Sequence, residues 1–135
     1  MTATSALLAL GDEPFVSLTT FRKSGVAVST PVWIARDGDA LIVTTPTESG
    51  KVKRLRNDAR VELTPCSRMG KISDDAVPVS AVAAVTGDEP SITRLTGIIR
   101  KKYGVEYHLV TTIEAIVAKR RKPRVILRIT DGHPE

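Results

Sequence analysis

TTFRKSGVAVSTPVWIARDGDALIVTT, residues 19–45, holds the pattern that decides the fold, because strand-like segments here are separated by two short turns. Three segments in and around it are rich in the β-branched and aromatic residues that favour strands: Pro14–Arg22, Val26–Arg36 and Ala40–Pro46. Lys23–Gly25 and Asp37–Asp39 provide the Gly-containing turns typical of hairpins. Since Pro31 cannot donate a hydrogen bond to a neighbouring strand, its strand must bulge or lie on an edge. The stretch therefore predicts an antiparallel meander.

Beyond the meander, the spacing of apolar residues switches between the helical and the strand pattern. It predicts, in order, a short helix (Ser49–Asn57), a fourth strand (Arg60–Cys66), a fifth strand (Ala76–Gly87), a helix from Asp88 to Gly104, a helix from about His108 to Lys119 and a sixth strand (Arg124–Thr130). Pro78 again indicates an edge or a bulge. Six short antiparallel strands are expected to close into a small barrel, because closure removes exposed edges. The predicted fold class is mainly β with α+β character, in one domain that spans residues 1–135.

The composition favours some classes of partner over others. With 135 residues, 41% of them hydrophobic and 26% charged, the chain is expected to form one globular domain with its own core. A net charge of +5 favours anionic partners. Only 4% of the residues are aromatic, and the basic segments lack the interleaved rings on which single-stranded bases stack. No specific nucleic acid is therefore expected as a partner.

The sequence also predicts where the protein is found. Its apolar runs are far shorter than the roughly 20 residues that a membrane-spanning helix requires, so no membrane span is predicted. The first residues make a poor secretion signal, because they contain only a short apolar patch and no leading Lys or Arg. Cys66 is the sole cysteine, so an internal disulfide is impossible. Together these features predict a cytoplasmic protein.

Metal binding and nucleophilic catalysis find little support in the residues. Only Cys66, His108 and His133 offer nitrogen or sulfur ligands, and no two of them are spaced as a ligand pair. No nucleophile motif such as Gly-x-Ser-x-Gly occurs. Cys66 is expected to be an ordinary buried strand residue in the core or in a pocket wall. We therefore expect no metal and assign no catalytic residue.

The basic segment TPTESGKVKRLRNDARVELTPC, residues 45–66, is the first candidate site. It is not a P-loop, because the first Gly and the final Ser or Thr of that motif are missing from their places. Ser49 and Lys51 nevertheless stand in the first turn of a helix that follows a strand, where free amides and the helix dipole favour an anion. Arg54 follows one turn later and adds a charged fork. The segment is either a phosphate site or a solvated helix face.

A second candidate site lies on the strand that contains Pro31. The segment Ser29–Trp33 includes the sole Trp of the chain. A buried Trp is most often part of the core. Pro31, however, interrupts the hydrogen-bond ladder, and the backbone groups beside it then need another partner, such as a planar ligand. The segment is therefore either core or one wall of a binding pocket.

Three parts of the chain together resemble a known family: the hairpin TTFRKSGVAVSTPVWIARDGDALIVTT, the segment SGKVKRLRNDARVEL and the closing strand RVILRIT. The chain is similar to the flavin and deazaflavin oxidoreductases of the split β-barrel, which are related to pyridoxamine 5'-phosphate oxidase. It most resembles the short actinobacterial and mycobacterial branch that uses coenzyme F-420, often as homodimers with the cofactor at the subunit interface. The resemblance implies a six-stranded antiparallel split β-barrel, with a short helix after the third strand and two helices before the last.

The resemblance also implies roles for individual residues. The family's Ser-x-Lys motif falls on Ser49, Gly50 and Lys51, which implies that these residues hold the cofactor phosphate, with Arg54 as a third charged member. The cofactor ring is expected to be lined by the Pro-containing strand and by the end of the fourth strand with the loop behind it: Ser29, Thr30, Pro31, Val32, Trp33, Pro65, Cys66 and Arg68.

The activity that the resemblance implies is hydride transfer from reduced F-420 to an electron-poor small molecule. Two alternatives use the same phosphate site: an FMN-binding flavoprotein, and a non-catalytic protein that carries or sequesters its cofactor. Oxidation of vitamin B6 is not expected, because the Arg-rich signature for the substrate phosphate is missing. Tyr103, Tyr107 and His108 are candidate proton donors only if they reach the pocket.

Overall fold

The structure is a computed structural model that describes residues 5–107 and 124–131. In chain order, its helices and strands are α1 (Ser5–Ala9), a 3₁₀ helix (Leu10–Asp12), β1 (Val16–Phe21), β2 (Ala27–Val32), β3 (Ala35–Asp37), β4 (Ala40–Pro46), α2 (Gly50–Asn57), β5 (Arg60–Pro65), β6 (Val79–Thr86), α3 (Glu89–Tyr103) and β7 (Arg124–Thr130). The prediction of a mainly β fold with α+β character is confirmed.

The strands form one antiparallel sheet in the order β2-β1-β5-β6-β7-β4-β3. The predicted first hairpin is confirmed, since β1 pairs with β2 from Val16 opposite Val32 to Phe21 opposite Ala27. The last strand, β7, inserts between β6 and β4. Its insertion brings Arg124, at the start of β7, opposite Pro46, at the end of β4. Chain segments far apart in sequence therefore meet at this end of the sheet.

The predicted strand Val26–Arg36 is in fact two strands, which makes seven strands among the described residues instead of six. It breaks at Trp33 and Ile34, so that β2 forms one edge of the sheet and β3 forms the other. The three residue steps from Val32 to Ala35 span at most about 11 Å. Both edges must come that close, so the sheet curls into a barrel that is split between β2 and β3.

The backbone groups at this break are bound by side chains from the last turn of α3. The N–H of Ile34 donates to the hydroxyl oxygen of Tyr103 at 2.9 Å. The Lys102 ammonium donates to the carbonyl of Ile34 at 2.6 Å, and to the carbonyls of Gly11 and Glu13 at 2.7 Å each. Since unpaired buried backbone groups are strongly destabilising, α3 makes the break possible.

Two apolar clusters lie on the two faces of the sheet. The barrel interior contains, among others, Leu18, Leu41, Leu63 and Leu127, all of them fully buried. The second cluster lies under α3 and joins Leu95 and Ile99 to the outer face of β3, β4 and β7. The alternation along β4 and β7, with successive residues in different clusters, follows from the two-residue period of a strand.

Several predictions about individual elements were wrong or incomplete. The first residues were not predicted to be helical, yet α1 places Leu7 fully buried in the barrel interior. Pro78 does not lie in an edge or a bulge, because β6 begins after it at Val79 and is an interior strand. Cys66 lies just past the end of β5 and is only half-buried.

The remaining helix predictions differ in their outcome. The helices predicted over 49–57 and 88–104 are confirmed as α2 and α3. The helix predicted from His108 to Lys119 lies outside the described residues. Within the described residues, no helix has both the length and the apolarity needed to cross a membrane.

Replacing Lys102 by methionine tests the role of α3 at the break. Lys102→Met removes the donor shared by three carbonyl groups, so we expect the free energy of unfolding to fall by about 1.5–3 kcal/mol. Urea unfolding followed by circular dichroism measures the change. Lys101→Met, at the exposed neighbouring position, is the control and should shift stability by less than about 0.5 kcal/mol. Equal stability of the two variants would contradict the role assigned to Lys102.

Candidate functional site

A cavity of about 200 Å³ opens where the ends of β2 and β4, the first turn of α2 and the start of β7 meet. Its wall is formed by Phe15, Pro31, Val32, Trp33, Thr44, Thr45, Pro46, Lys51, Arg68 and Arg124. Five of these residues were predicted from the sequence: Pro31, Val32, Trp33, Lys51 and Arg68. The structure thus brings the Pro-containing strand and the basic segment to one place, although they are separate in sequence.

Ser49 begins the helix at the basic end of the cavity. As the N-cap of α2, its hydroxyl oxygen accepts a hydrogen bond from the backbone N–H of Val52 at 3.4 Å. The same oxygen lies 3.1 Å from the Thr45 hydroxyl, which donates to it. A serine hydroxyl has two acceptor positions and one proton, so this arrangement leaves the proton for a ligand. The backbone amides at the N-terminus of α2 and the positive end of the helix dipole also favour an anionic ligand here.

Lys51 stands in this first turn and carries an unfavourable charge. Burial lowers the pKa of its ammonium group, and the neighbouring charges of Arg54 and Arg124 lower that pKa further. Among the described residues, no carboxylate forms an ion pair with Lys51. A lysine that two neighbouring arginines repel at a partly desolvated position is typical of a site that binds an anion.

Gly50 allows Arg54 to reach back over the start of α2. A Cβ atom on Gly50 would lie only 2.6 Å from Nη1 of Arg54. The Arg54 Nε also donates to the hydroxyl of Thr20 on β1 at 2.6 Å. Burial and the nearby charge of Arg22 lower the pKa of the Arg54 guanidinium. Arg54 therefore adds positive charge behind the cavity without lining it.

Arg124 is a site residue that the sequence analysis missed. Its Nε donates to the Thr44 hydroxyl at 3.1 Å, across 80 positions of the chain. Only the pairing of β4 with β7 brings the two together, and no local pattern predicts this pairing. Four other wall residues were missed for the same kind of reason, since the strand ends that carry them meet only in the folded sheet: Phe15, Thr44, Thr45 and Pro46.

Aromatic residues form the other end of the cavity. Trp33 lines it and stacks on Tyr103 of α3, with ring centroids 5.0 Å apart and planes 23° from parallel. The Tyr107 ring is 5.8 Å from that of Trp33. Burial raises the pKa of Tyr103 to about 12, and its hydroxyl is already bound to the backbone at Ile34. Tyr103 therefore orients Trp33 and is poorly placed to donate a proton to a ligand.

Seven predicted residues are not part of the wall of this cavity. Three of them, Ser49, Gly50 and Arg54, belong to the start of α2 described above, and the other four are Ser29, Thr30, Pro65 and Cys66. The hydroxyls of Ser29 and Thr19 are 2.6 Å apart on the exposed face of the first hairpin. The Thr30 hydroxyl is buried and has no hydrogen-bond partner among the described residues. Pro65 and Cys66 line a separate cavity of about 340 Å³. Burial raises the pKa of the Cys66 thiol, so this sulfur is a weak nucleophile.

No metal site is found in the described part of the chain. Residues 5–107 and 124–131 contain no group of three or more His, Cys, Asp or Glu side chains that could hold a metal ion. The two histidines considered as ligands, His108 and His133, fall outside these ranges.

The sequence matches a known protein family over almost its whole length. The sequence profile described as pyridoxamine 5'-phosphate oxidase matches residues 3–131. The chain belongs to the pyridoxamine 5'-phosphate oxidase family. No curated protein matches its sequence significantly.

Solved structures share the fold of this family at low sequence identity. A conserved hypothetical protein from Mycobacterium tuberculosis is 20% identical, with a TM-score of 0.68, over 98% of this chain and 83% of the other. An F-420 reductase is 17% identical, with a TM-score of 0.61, over 97% of each chain. A FAD-binding protein from Mesorhizobium loti is 14% identical, with a TM-score of 0.62, over 98% of this chain and 93% of the other. At these identities the likeness shows the fold alone.

Removing the Lys51 charge tests the electrostatics of the cavity. Because the pKa of Lys51 is lowered in the folded state, its charged form destabilises that state, and stability should rise as the pH approaches the ordinary lysine value. We expect Lys51→Met to raise the free energy of unfolding of the ligand-free protein at neutral pH by about 0.5–2 kcal/mol. Thermal unfolding in a buffer without polyvalent anions measures it.

Lys53→Met is the matched control, because Lys53 is an exposed lysine of the same helix. Added inorganic phosphate should stabilise the unmodified protein and should lose this effect in Lys51→Met. A ligand-free Lys51→Met protein that is less stable than the control would contradict the repulsion argument.

Proposed function

We propose that this protein binds coenzyme F-420 and transfers a hydride from its reduced form to an electron-poor small molecule. The observation that carries the proposal is that Lys51 and Arg124 share one cavity wall with Phe15 and Trp33, while Arg54 adds positive charge behind it. Membership of the pyridoxamine 5'-phosphate oxidase family, which includes oxidoreductases, and the likeness to an F-420 reductase support it. We also propose that the protein belongs to the F-420-dependent actinobacterial and mycobacterial branch of the family.

The residues at the basic end fit a phosphate group. The Ser49 hydroxyl, the first amides of α2 and the Lys51 ammonium are all donors, and each lies at the positive end of the helix dipole. Gly50 has no side chain, which keeps the approach to these amides open and leaves room for the Arg54 guanidinium. A dianionic group would relieve the repulsion that Arg54 and Arg124 exert on Lys51.

The opposite end of the cavity fits a planar ring. Phe15, Pro31, Val32 and Trp33 present apolar surface there, and Trp33 is held in position by its stacking on Tyr103. When bound, the deazaflavin supplies the hydride. The protein's own residues bind the phosphate, orient the ring against this wall and exclude water. Among the described residues that line the cavity, none is a carboxylic acid or an imidazole, so no side chain is assigned to proton transfer.

An FMN-binding flavoprotein is the second candidate. The same cluster would hold the FMN phosphate, and the likeness to a FAD-binding protein favours a flavin. A third candidate is a protein that binds or sequesters its cofactor without turnover. The binding of the Tyr103 hydroxyl to the backbone favours this third candidate, because it removes one of the proposed proton donors.

The proposal includes a homodimer with the cofactor at the subunit interface. Met69 and Val77 are 88% and 75% exposed in the loop between β5 and β6. This loop lies against the cavity, because a Cβ on Gly70 would be 3.7 Å from Pro31. A second copy of the chain would cover these apolar side chains and close the cavity. A single domain over residues 1–135 and a cytoplasmic location, which the sole cysteine favours, belong to the same proposal.

Cofactor titration of the purified protein tests the proposal. We expect F-420 to bind at nanomolar to micromolar concentration. The change in F-420 fluorescence measures this binding. Lys51→Ala should weaken this binding by about 1.5–3 kcal/mol, the range for a hydrogen bond to a charged group. Lys53→Ala is the control and should bind as the unmodified protein does. FMN binding in the same range, with none for F-420, would replace the first candidate by the second.

Turnover is tested by following the oxidation of reduced F-420 with quinones and enones as acceptors. The proposal predicts that the protein accelerates oxidation for at least one acceptor, and that Lys51→Ala reduces the acceleration in proportion to the bound cofactor. Tight cofactor binding with no acceleration for any acceptor would support the non-catalytic candidate.

A further inference from the structure

We propose that Arg68 binds the carboxylate of a planar, conjugated acceptor molecule in the cavity, and that Glu106 holds Arg68 in place while this molecule is absent. The assignment of the carboxylate to the electron acceptor rests on the proposed function, in which the cofactor phosphate occupies the start of α2. The charge and geometry around Arg68 carry the rest of the argument.

Arg68 lies at the aromatic end of the cavity. It is a wall residue, and its guanidinium carbon is 5.1 Å from the centre of the Phe15 ring, another wall residue. The side chain is 65% exposed, so it can change position without disturbing the core. A guanidinium over an aromatic ring is a favourable arrangement that keeps its outer edge available for hydrogen bonds.

Glu106 already provides a carboxylate for this guanidinium, but in poor geometry. The Nη1 atom of Arg68 lies 2.6 Å from Oε1 of Glu106, and the Glu106 side chain is 28% exposed. This oxygen is buried, yet no N–H group in residues 5–107 or 124–131 is aligned to form a hydrogen bond with it. The contact is therefore an ion pair without the two parallel hydrogen bonds that an arginine and a carboxylate form at their best.

A ligand carboxylate can take the place that Glu106 fills imperfectly. The fork of an arginine matches a carboxylate in two hydrogen bonds, which gives selectivity as well as affinity. Phe15, which lies under the guanidinium, supplies apolar ring surface beside this position, and a cofactor ring bound against the rest of the wall would supply a second planar surface. The ligand that fits is therefore a conjugated molecule with an attached carboxylate. In the proposed function the cofactor phosphate is bound at α2, and the molecule that meets the ring beside Arg68 is the acceptor.

Glu106 opposes this exchange. When Arg68 turns to a ligand, the partly buried Glu106 loses its counter-charge, and a buried charge without a partner is strongly unfavourable. Neutralising Glu106 should therefore strengthen the binding of the ligand. Such an opposite effect of the two partners of one ion pair is not expected if the pair only stabilises the fold.

The experiment uses 2-naphthoate and its neutral analogue 2-naphthamide as probes, with affinities measured by calorimetry on the ligand-free and the cofactor-loaded protein. The unmodified protein is expected to bind naphthoate about tenfold more tightly than naphthamide. Arg68→Gln should remove this preference, and Arg68→Lys should restore part of it, because lysine keeps the charge but lacks the fork. Glu106→Gln should tighten naphthoate binding several-fold and leave naphthamide unchanged.

Arg60 offers a matched control away from the cavity. It lies over the Phe21 ring at 4.9 Å and pairs with Asp58 at 2.7 Å, so it has the same kinds of partner as Arg68. Arg60→Gln and Asp58→Asn should leave both affinities unchanged. Any of three results would overturn the inference. These are a naphthoate preference that survives in Arg68→Gln, weaker naphthoate binding in Glu106→Gln, and no binding of either probe.

The outcomes also separate this inference from the proposed function. An Arg68-dependent preference in a protein that binds neither F-420 nor FMN would reject the proposed function and keep Arg68 as a carboxylate site. Cofactor binding without any preference between the probes would reject the inference and keep the proposed function.

Discussion

The passage of the chain from one edge of the sheet to the other, at Trp33 and Ile34, is the constraint on which the rest of the structure depends. Two residues cannot span a flat seven-stranded sheet, so the sheet must curl. The turn also releases backbone groups from the ladder, and these groups need partners. Lys102 and Tyr103 provide them from one turn of α3. Without that turn of helix, the backbone groups at the break would lack partners, and β2 and β3 could not separate while the sheet stays curled.

The same constraint creates the cavity. Pro31 and Val32 end β2 next to the break, and Trp33 at the break itself faces the ends of β4 and β7 across the curled sheet. The stacking of Trp33 on Tyr103 links the hydrogen bonds of the break to the wall of the cavity. The contacts that Tyr103 makes with Ile34 and Trp33 therefore both stabilise the closed barrel and shape the site. Sequence changes that loosen the break are expected to alter the site as well as the stability.

Sequence reasoning succeeded where a structural feature depends on neighbouring residues. The hairpin of β1 and β2, the short helix α2 and the start of α3 are all set by local turn, spacing and capping chemistry. It failed where distant segments meet. Arg124 enters the site only because β7 inserts between β6 and β4. The break at Trp33 was missed because the residues on both sides favour strands, and their switch of partner is decided by the sheet as a whole.

Charge placement shows why residue type alone does not identify a functional group. Arg60 and Arg68 each lie over a phenylalanine ring and each pair with a carboxylate. Asp58 accepts aligned hydrogen bonds from Arg60 in both oxygens, so that pair is satisfied as it stands. The Arg68 pair lacks this alignment and borders a cavity that also contains Lys51. An ion pair with poor geometry beside an open cavity can exchange its partner, and this property, which only the folded chain reveals, distinguishes the two arginines.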